Sequence, residues 1–299
     1  MGSPNSSFAN QKLLEITITL GAGKVFASGN NTLTLIGLRA SVNIDMGGGY
    51  MGGTMRARIF GLSQNDMNQI TYLAWMPQPQ LGPPNKITVN AIDGQQSTLV
   101  FTGLIIQAFG NYQAAPEVYI DIQATATQAA QLLPVSPLSI ASNTTVDTVM
   151  GQLAAQMGFS FENNGVNVSI PKGTYLGNTA FFQAQNLMQA YNFEMYIDNG
   201  VLAICPVGTA RKTSFVPLIS ASTGLMGYPY FNTQGVVFDT YFNPDILFGG
   251  TVQIQSTVEP ANGLWQVINI SHTLESIIPG GRWQSTANCN KTGIAGGGQ

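Results

Sequence analysis

Charge is scarce in this sequence. Of 299 residues, 11 are Lys or Arg and 14 are Asp or Glu, together 8%, whereas a typical soluble domain has about 25%. Charge repulsion alone does not keep such a surface soluble. Because the net charge is only -3 and the basic residues are scattered, the sequence argues against a dedicated nucleic-acid-binding surface.

Cysteine and histidine are scarce as well. Cys205 and Cys289 lie far apart in the sequence and fit neither a disulfide framework nor a metal motif, so we expect both to be small buried residues. His272 is the only histidine, which excludes a histidine cluster for a metal and leaves one candidate general base. The residues around it alternate as in a strand, which favours a packed or hydrogen-bonded histidine.

Long apolar runs are also absent. The longest nearly apolar segments, such as residues 99–106, are far shorter than the roughly 20 residues of a membrane-spanning helix, and the N-terminus lacks the pattern of a signal peptide. We therefore expect no membrane anchor. With 44% hydrophobic and 9% aromatic residues the chain can build sizeable cores, which excludes intrinsic disorder.

Catalytic motifs are weak. Gly47, Gly49 and Gly52 satisfy G-x-G-x-x-G, but residues 54–60 alternate like a strand instead of opening a helix, so we favour a long β-hairpin loop over a nucleotide site. No G-x-S-x-G motif surrounds a serine, and the acidic residues are spread singly, although a Ser-His-Asp arrangement stays open. We predict no catalytic, cofactor-binding or metal-binding residues, and no cofactor.

Alternation of apolar and polar residues predicts strands over most of the first 125 residues. The predicted strands are residues 13–20, 31–44, 54–60, 86–92, 98–109 and 117–126. One short helix is predicted to begin after Ser63, because Asp66 stands at the third helical position and Met67 and Ile70 recur at helical spacing.

In the middle of the chain the spacing of apolar residues changes from strand-like alternation to helical spacing. A helix is predicted from a cap at Thr144 or Thr145 to Gly158, because apolar residues recur there at i, i+3 and i+4. A second helix is predicted from about residue 179 to 191, and residues 198–200 (Asp-Asn-Gly) predict a hairpin. Residues 135–205 are therefore expected to form a small α+β module, after which strands are predicted at 236–241, 250–257, 264–274 and 283–289.

Several short motifs, taken in order, point to a known family. They are Phe101-Thr102-Gly103 with Ile105, the helix from Thr144 to Phe159, Phe242-Asn243-Pro244 before Gly249-Gly250, Asn262-Gly263-Leu264-Trp265 leading to His272, and Gly281-Arg282-Trp283. Each motif is weak alone, but their order and spacing resemble those of the baseplate hub proteins of contractile phage tails.

This resemblance implies a mainly β (α+β) fold with two related β-barrel, tube-like domains and a small α+β insert between them. The bounds would be 1–134 for the first barrel, 135–205 for the insert and 206–299 for the second barrel, with strands free to exchange between regions. Three chains would then place six barrels in a pseudo-sixfold ring.

The implied role is structural. The homotrimer would adapt the hexameric tail tube to the trimeric central spike, contact other baseplate proteins and let DNA pass through its channel without specific binding. The protein would not be an enzyme, would assemble in the host cytoplasm and would reside in the tail baseplate of the virion. The alternatives are a spike-head protein of a type VI or other contractile injection system, and a β-rich hydrolase or carbohydrate-binding protein.

Overall fold

The structure, a computed structural model, describes residues 11–47, 52–73, 84–132 and 135–291. It is mainly β with few helices, so the predicted fold class is confirmed. The strands are β1 Lys12–Thr19, β2 Thr32–Ile36, β3 Ala40–Gly47, β4 Thr54–Phe60, β5 Lys86–Asp93, β6 Gln96–Asn111, β7 Tyr119–Thr125, β8 Leu138–Ser139, β9 Thr144–Thr145, β10 Ser160–Asn163, β11 Ser169–Ile170, β12 Tyr175–Leu176, β13 Phe193–Asp198, β14 Val201–Pro206, β15 Leu218–Ile219, β16 Leu225–Phe231, β17 Val236–Tyr241, β18 Thr251–Ile254, β19 Gly263–Ser276 and β20 Trp283–Lys291. The helices are α1 Gln64–Ile70, α2 Gln128–Leu132, α3 Val146–Met157 and α4 Ala180–Tyr191, with a 3-10 turn at Glu259–Ala261.

One large sheet joins the strands before and after the insert. Its hydrogen-bonded order is β16-β17-β20-β19-β3-β4-β7-β6-β5-β1-β2, with β18 bonded to β19 and β15 bonded to β18. The junction is the antiparallel pair β3–β19, in which Ile44 lies opposite His272. Strands far apart in the sequence therefore share one continuous surface.

The prediction of a single strand over residues 31–44 is wrong. The structure divides this segment into β2 and β3, because the chain turns at Gly37, whose φ is 70°. Glycine has no Cβ and adopts this left-handed conformation without strain. As a result β2 pairs with β1, whereas β3 pairs with β4 and β19.

The predicted helix caps are confirmed. The Ser63 hydroxyl accepts a hydrogen bond from the backbone N–H of Asp66 at the start of α1. Thr145 accepts one from Thr148 at the start of α3, and Gly158 ends that helix with φ 79°. None of the described helices is long and apolar enough to cross a membrane.

The glycine-rich segment lies in the hairpin that the sequence predicts. Strands β3 and β4 pair antiparallel, with Asp45 opposite Thr54, so the segment after the glycines is a strand, as expected. Residues 48–51, including Gly49, are outside the described residues. A helix that would place its N-terminus on a pyrophosphate therefore does not follow this motif.

Apolar side chains form two cores. One contains buried residues of the large sheet, including Phe101 and Phe238, from both sides of the insert. The other lies within the insert and contains the apolar faces of α3 and α4, such as Met150 and Leu187. The domain bounds 1–134, 135–205 and 206–299, and the closure of each β region into a barrel, stay predictions.

Candidate assembly surface

One face of the large sheet is polar across seven neighbouring strands, from β17 to β6. Side chains alternate between this face and the core, so that Asn43 and Asp45 are exposed while Val42 and Ile44 are buried. One row across the strands contains Tyr241, Gln284, Thr273, Asn43, Arg56, Gln123 and Gln107. The next contains Asp239, Thr286, Ser271, Asp45, Thr54 and Thr125. We call these two rows the polar face.

Hydrogen bonds connect neighbouring strands along the polar face. The Thr273 hydroxyl donates to Oδ1 of Asn43 across the β3–β19 junction, and the Thr286 hydroxyl donates to Oδ1 of Asp239 between β20 and β17. The face is therefore continuous across the strands that precede and follow the insert. Most of its members are uncharged amides and hydroxyls, in keeping with the low charge of the chain.

The two arginines of β4 share one carboxylate. Nη2 of Arg56 lies 2.8 Å from Oδ2 of Asp121, and Nε of Arg58 lies 3.4 Å from the same oxygen. Asp121 is buried, whereas both arginines are about half exposed. The hydrogen bond and the charge of Asp121 raise the pKa of Arg56. With Asp45 on the neighbouring strand, the polar face is not a basic surface.

The histidine is a buried strand residue, as the sequence indicates. Its Nδ1 lies 2.7 Å from the Ser285 hydroxyl, and burial lowers the pKa of His272 to about 4. A cavity of about 20 Å³ is lined by His272, Asp198 and Asn199 among others, enough room for one water molecule. Serine, histidine and aspartate thus lie near one another, but Ser285 is fully buried, so a substrate carbonyl has no access to it.

The other reactive residue types are equally enclosed. Cys205 and Cys289 are free and buried, as predicted, and burial raises the pKa of the Cys205 thiol to about 12. Within the described ranges, no three His, Cys, Asp or Glu side chains are grouped so that they could hold a metal ion. Both thiols therefore pack within the described cores as small buried side chains.

A buried arginine ties the insert to the loop between β17 and β18, a feature that the sequence did not reveal. Arg211 places Nη2 2.9 Å from Glu162 and Nη1 3.5 Å from Asp198, both of the insert. Its Nη1 also donates to the carbonyl of Phe248 at 3.2 Å. Arg211 and Asp198 are both nearly inaccessible, and burial raises the pKa of Asp198. No local motif surrounds Arg211, so the sequence offered no signal.

Solved structures with a similar fold come from phage tails and a secretion system. The 43 kDa tail protein of prophage MuSo2 from Shewanella oneidensis superposes with a TM-score of 0.59, at 11% identity, over 93% of this chain and 97% of that chain. The tail protein from Neisseria meningitidis MC58 superposes with a TM-score of 0.61, at 10% identity, over 94% of this chain and 97% of that chain. The E. coli c3393 protein superposes with a TM-score of 0.52, at 9% identity, over 84% of this chain and 73% of that chain. It is a type VI secretion component described as structurally similar to T4 bacteriophage tail proteins gp27 and gp5.

Identities this low show the fold alone, and that fold is the one of phage tail proteins and a related secretion component. The family model described as Baseplate hub gp41 matches residues 13–278. Because this match covers most of the chain, the protein belongs to the baseplate hub gp41 family, and the resemblance found in the sequence is confirmed. None of the curated proteins matches the sequence. The chain therefore has a structural role in a phage tail baseplate.

Proposed function

We propose that three copies of the chain form a ring that adapts the hexameric tail tube to the trimeric central spike, with the polar face lining a channel for DNA. The observation that carries the proposal is the continuity of the polar face through the β3–β19 pair. Each chain has one β region before the insert and one after it, so three chains place six β regions around one axis. That number matches a hexameric tube on one side, while the three chains match a trimeric spike on the other.

The chemistry of the polar face suits a passage for DNA. Each Lys or Arg that contacts a phosphate adds attraction, which would slow a sliding duplex. Arg56 on this face, like Arg58 beside it, already binds Asp121, while Asp45 and Asp239 add negative charge. DNA then passes without specific binding, held at a distance by uncharged amides and hydroxyls.

The role is structural, without a cofactor. Ser285 and His272 are buried, which speaks against the hydrolase alternative. The protein resides in the tail baseplate of the virion after assembly in the host cytoplasm, where it contacts the tube, the spike and other baseplate proteins.

A spike head of a type VI or other contractile injection system is the second candidate function. It is favoured by the likeness to the E. coli type VI component, which covers 84% of this chain. Genomic neighbours separate the two roles, because capsid and terminase genes accompany a phage tail whereas secretion ATPase genes accompany a type VI apparatus.

Mass measurement in solution tests the proposed ring. Light scattering coupled to size exclusion, or native mass spectrometry, should give three times the 31.8 kDa of the chain, alone or with the tube and spike proteins present. A monomer under both conditions that binds neither protein would overturn the proposal.

A further inference from the structure

The strand at one end of the large sheet exposes a row of aromatic side chains. Strand β16 is the terminal strand of the sheet order and pairs with β17. Tyr228, Tyr230 and Phe231 are 73%, 53% and 49% exposed, while Pro229 between them is buried. We call the three exposed residues the aromatic edge.

The aromatic edge lacks the charged side chains that protect many exposed strands. Natural proteins place charged residues on such edges to prevent association, yet no charged residue occurs between Lys212 and Asp239. Tyrosine and phenylalanine are enriched, and charge is depleted, at the centres of protein interfaces. The composition of this edge is therefore that of a contact surface.

Side chains, more than backbone groups, would form this contact. The pairing of β16 with β17 is irregular between Met226 and Tyr230, and Pro229 has no N–H to donate. Both features interrupt the row of backbone groups that another strand would need. The three aromatic rings remain as the available contact area.

The opposite end of the polar face has a matching composition. There β6 ends with Phe109, Gly110 and Asn111 and is followed by Tyr112, which is 46% exposed. The Tyr112 ring lies against Gly110, where a Cβ would come within 2.7 Å of it. No charged residue occurs between Asp93 and Glu117. We call Phe109, Gly110 and Tyr112 the β6 end.

We propose that the aromatic edge of one copy packs against the β6 end of the next copy. This head-to-tail contact rests on the proposed function and identifies the surfaces that close the ring. Each chain carries one surface of each kind, so a closed ring covers both with a single type of interface. Two such contacts flank every polar face and make it continuous around the channel.

Complementary variants test this contact. The edge variant carries Tyr228→Lys and Tyr230→Lys, and the end variant carries Tyr112→Lys. Each introduces charge at an exposed position into one of the two surfaces. In native mass spectrometry we expect the trimer of the unmodified chain to become monomer in either variant. Mixed in equal amounts, they should give a heterodimer of twice 31.8 kDa, because one intact edge meets one intact end but the ring cannot close.

A matched control uses Tyr175→Lys, since Tyr175 is 67% exposed on β12 of the insert. This variant should stay trimeric, and circular dichroism should show that all variants keep the folded spectrum of the unmodified chain. A misfolded edge or end variant is replaced by Tyr228→Ser with Tyr230→Ser, or by Tyr112→Ser, for which we expect at least a tenfold weaker trimer.

The alternatives give different results. A trimer that persists in folded edge and end variants overturns the contact but leaves the ring itself standing. If the edge variant stays trimeric and loses only its binding to the tube protein, the aromatic edge fits the tube instead. Monomeric variants that form no heterodimer on mixing would overturn the pairing of the aromatic edge with the β6 end. A monomeric unmodified chain, with and without partners, overturns the ring and the contact together.

Discussion

The buried imidazole of His272 makes the fold sensitive to pH. Burial lowers the pKa of His272 from an ordinary 6.5 to about 4 in the folded chain. Between these two pH values the unfolded chain binds the proton and the folded chain does not, so stability falls as the pH falls. Asp198 lines the same cavity, and burial raises the pKa of its carboxyl, which has the opposite effect on stability.

We therefore predict that His272→Gln flattens part of this pH dependence. The unmodified chain should lose about 3 kcal/mol more stability than the variant between pH 7 and pH 4, since each pKa unit corresponds to about 1.4 kcal/mol. Urea unfolding at both pH values measures the difference. Because Asp198 is present in both proteins, its contribution cancels. The control Ser285→Ala keeps the histidine and should lose as much stability between pH 7 and pH 4 as the unmodified chain. An equal loss of stability in the unmodified chain and His272→Gln would contradict the prediction.

Asp121 controls the charge of the polar face. Replacing it by Asn leaves Arg56 and Arg58 without their shared carboxylate, so they become available to phosphate. We expect Asp121→Asn to bind duplex DNA on the order of tenfold more tightly at low salt, with a steeper salt dependence. Fluorescence anisotropy measures the affinity.

The control for this charge change is Asp147→Asn in α3 of the insert, which removes one carboxylate outside the polar face. It should leave DNA binding unchanged. An equal increase in DNA affinity in both variants would indicate an effect of net charge. An unchanged DNA affinity in both variants would contradict the role of Asp121.

At the scale of elements, Arg211 connects the insert to the loop between strands β17 and β18 of the large sheet. Arg211→Leu leaves the carboxylate of Asp198 buried without its guanidinium partner. Removing one member of a buried ion pair costs about 3–5 kcal/mol, and urea unfolding should show a loss of this size. Arg39→Leu removes an arginine from an exposed pair with Glu117 and should cost much less; similar losses in the two variants would show that the Arg211 cluster does not stabilise the fold.

Local patterns made many elements predictable. Ser63, Thr145 and Gly158 carry the signals that begin or end α1 and α3, and the structure places each at the predicted position. Residues 198–200 join β13 to β14, with positive φ at Asn199 and Gly200. In these cases the physical cause, a capping oxygen or a left-handed backbone, lies within a few residues of the element itself.

Long-range features were not predictable in this way. Strand β16 was missed because Gly227 and Pro229 interrupt its alternation, and both residue types are unfavourable inside strands. The alternation of apolar and polar residues shows which residues share a face of a strand, but not which strands become neighbours. The β3–β19 pair and the polar face are therefore visible only in the structure. Arg211 and Glu162 meet across a separation of 49 residues, which no local spacing encodes.

The scarcity of charge has its explanation at the scale of the whole molecule. The uncharged segments include the aromatic edge and the β6 end, and the polar face consists mainly of amides and hydroxyls. In the proposed ring these surfaces meet other subunits or the channel instead of bulk solvent. A ring subunit therefore needs fewer charges than a monomer of the same size.

It follows that the ring should resist salt. An interface without charged residues is not screened, whereas one built on exposed ion pairs weakens as the Debye length falls from about 10 Å at 0.1 M salt to about 3 Å at 1 M. We expect light scattering to give the same trimer at both salt concentrations, with no shift towards monomer. Dissociation at high salt would contradict an uncharged contact.

A density map of the assembled tail tip tests the central claim most directly, because it shows stoichiometry, neighbours and channel lining together. We expect three copies between tube and spike, with Asn43, Thr273 and Arg56 facing the central channel and Tyr228 buried against the neighbouring copy. A map with a different copy number, or with the polar face turned outward from the channel, would contradict the proposed hub.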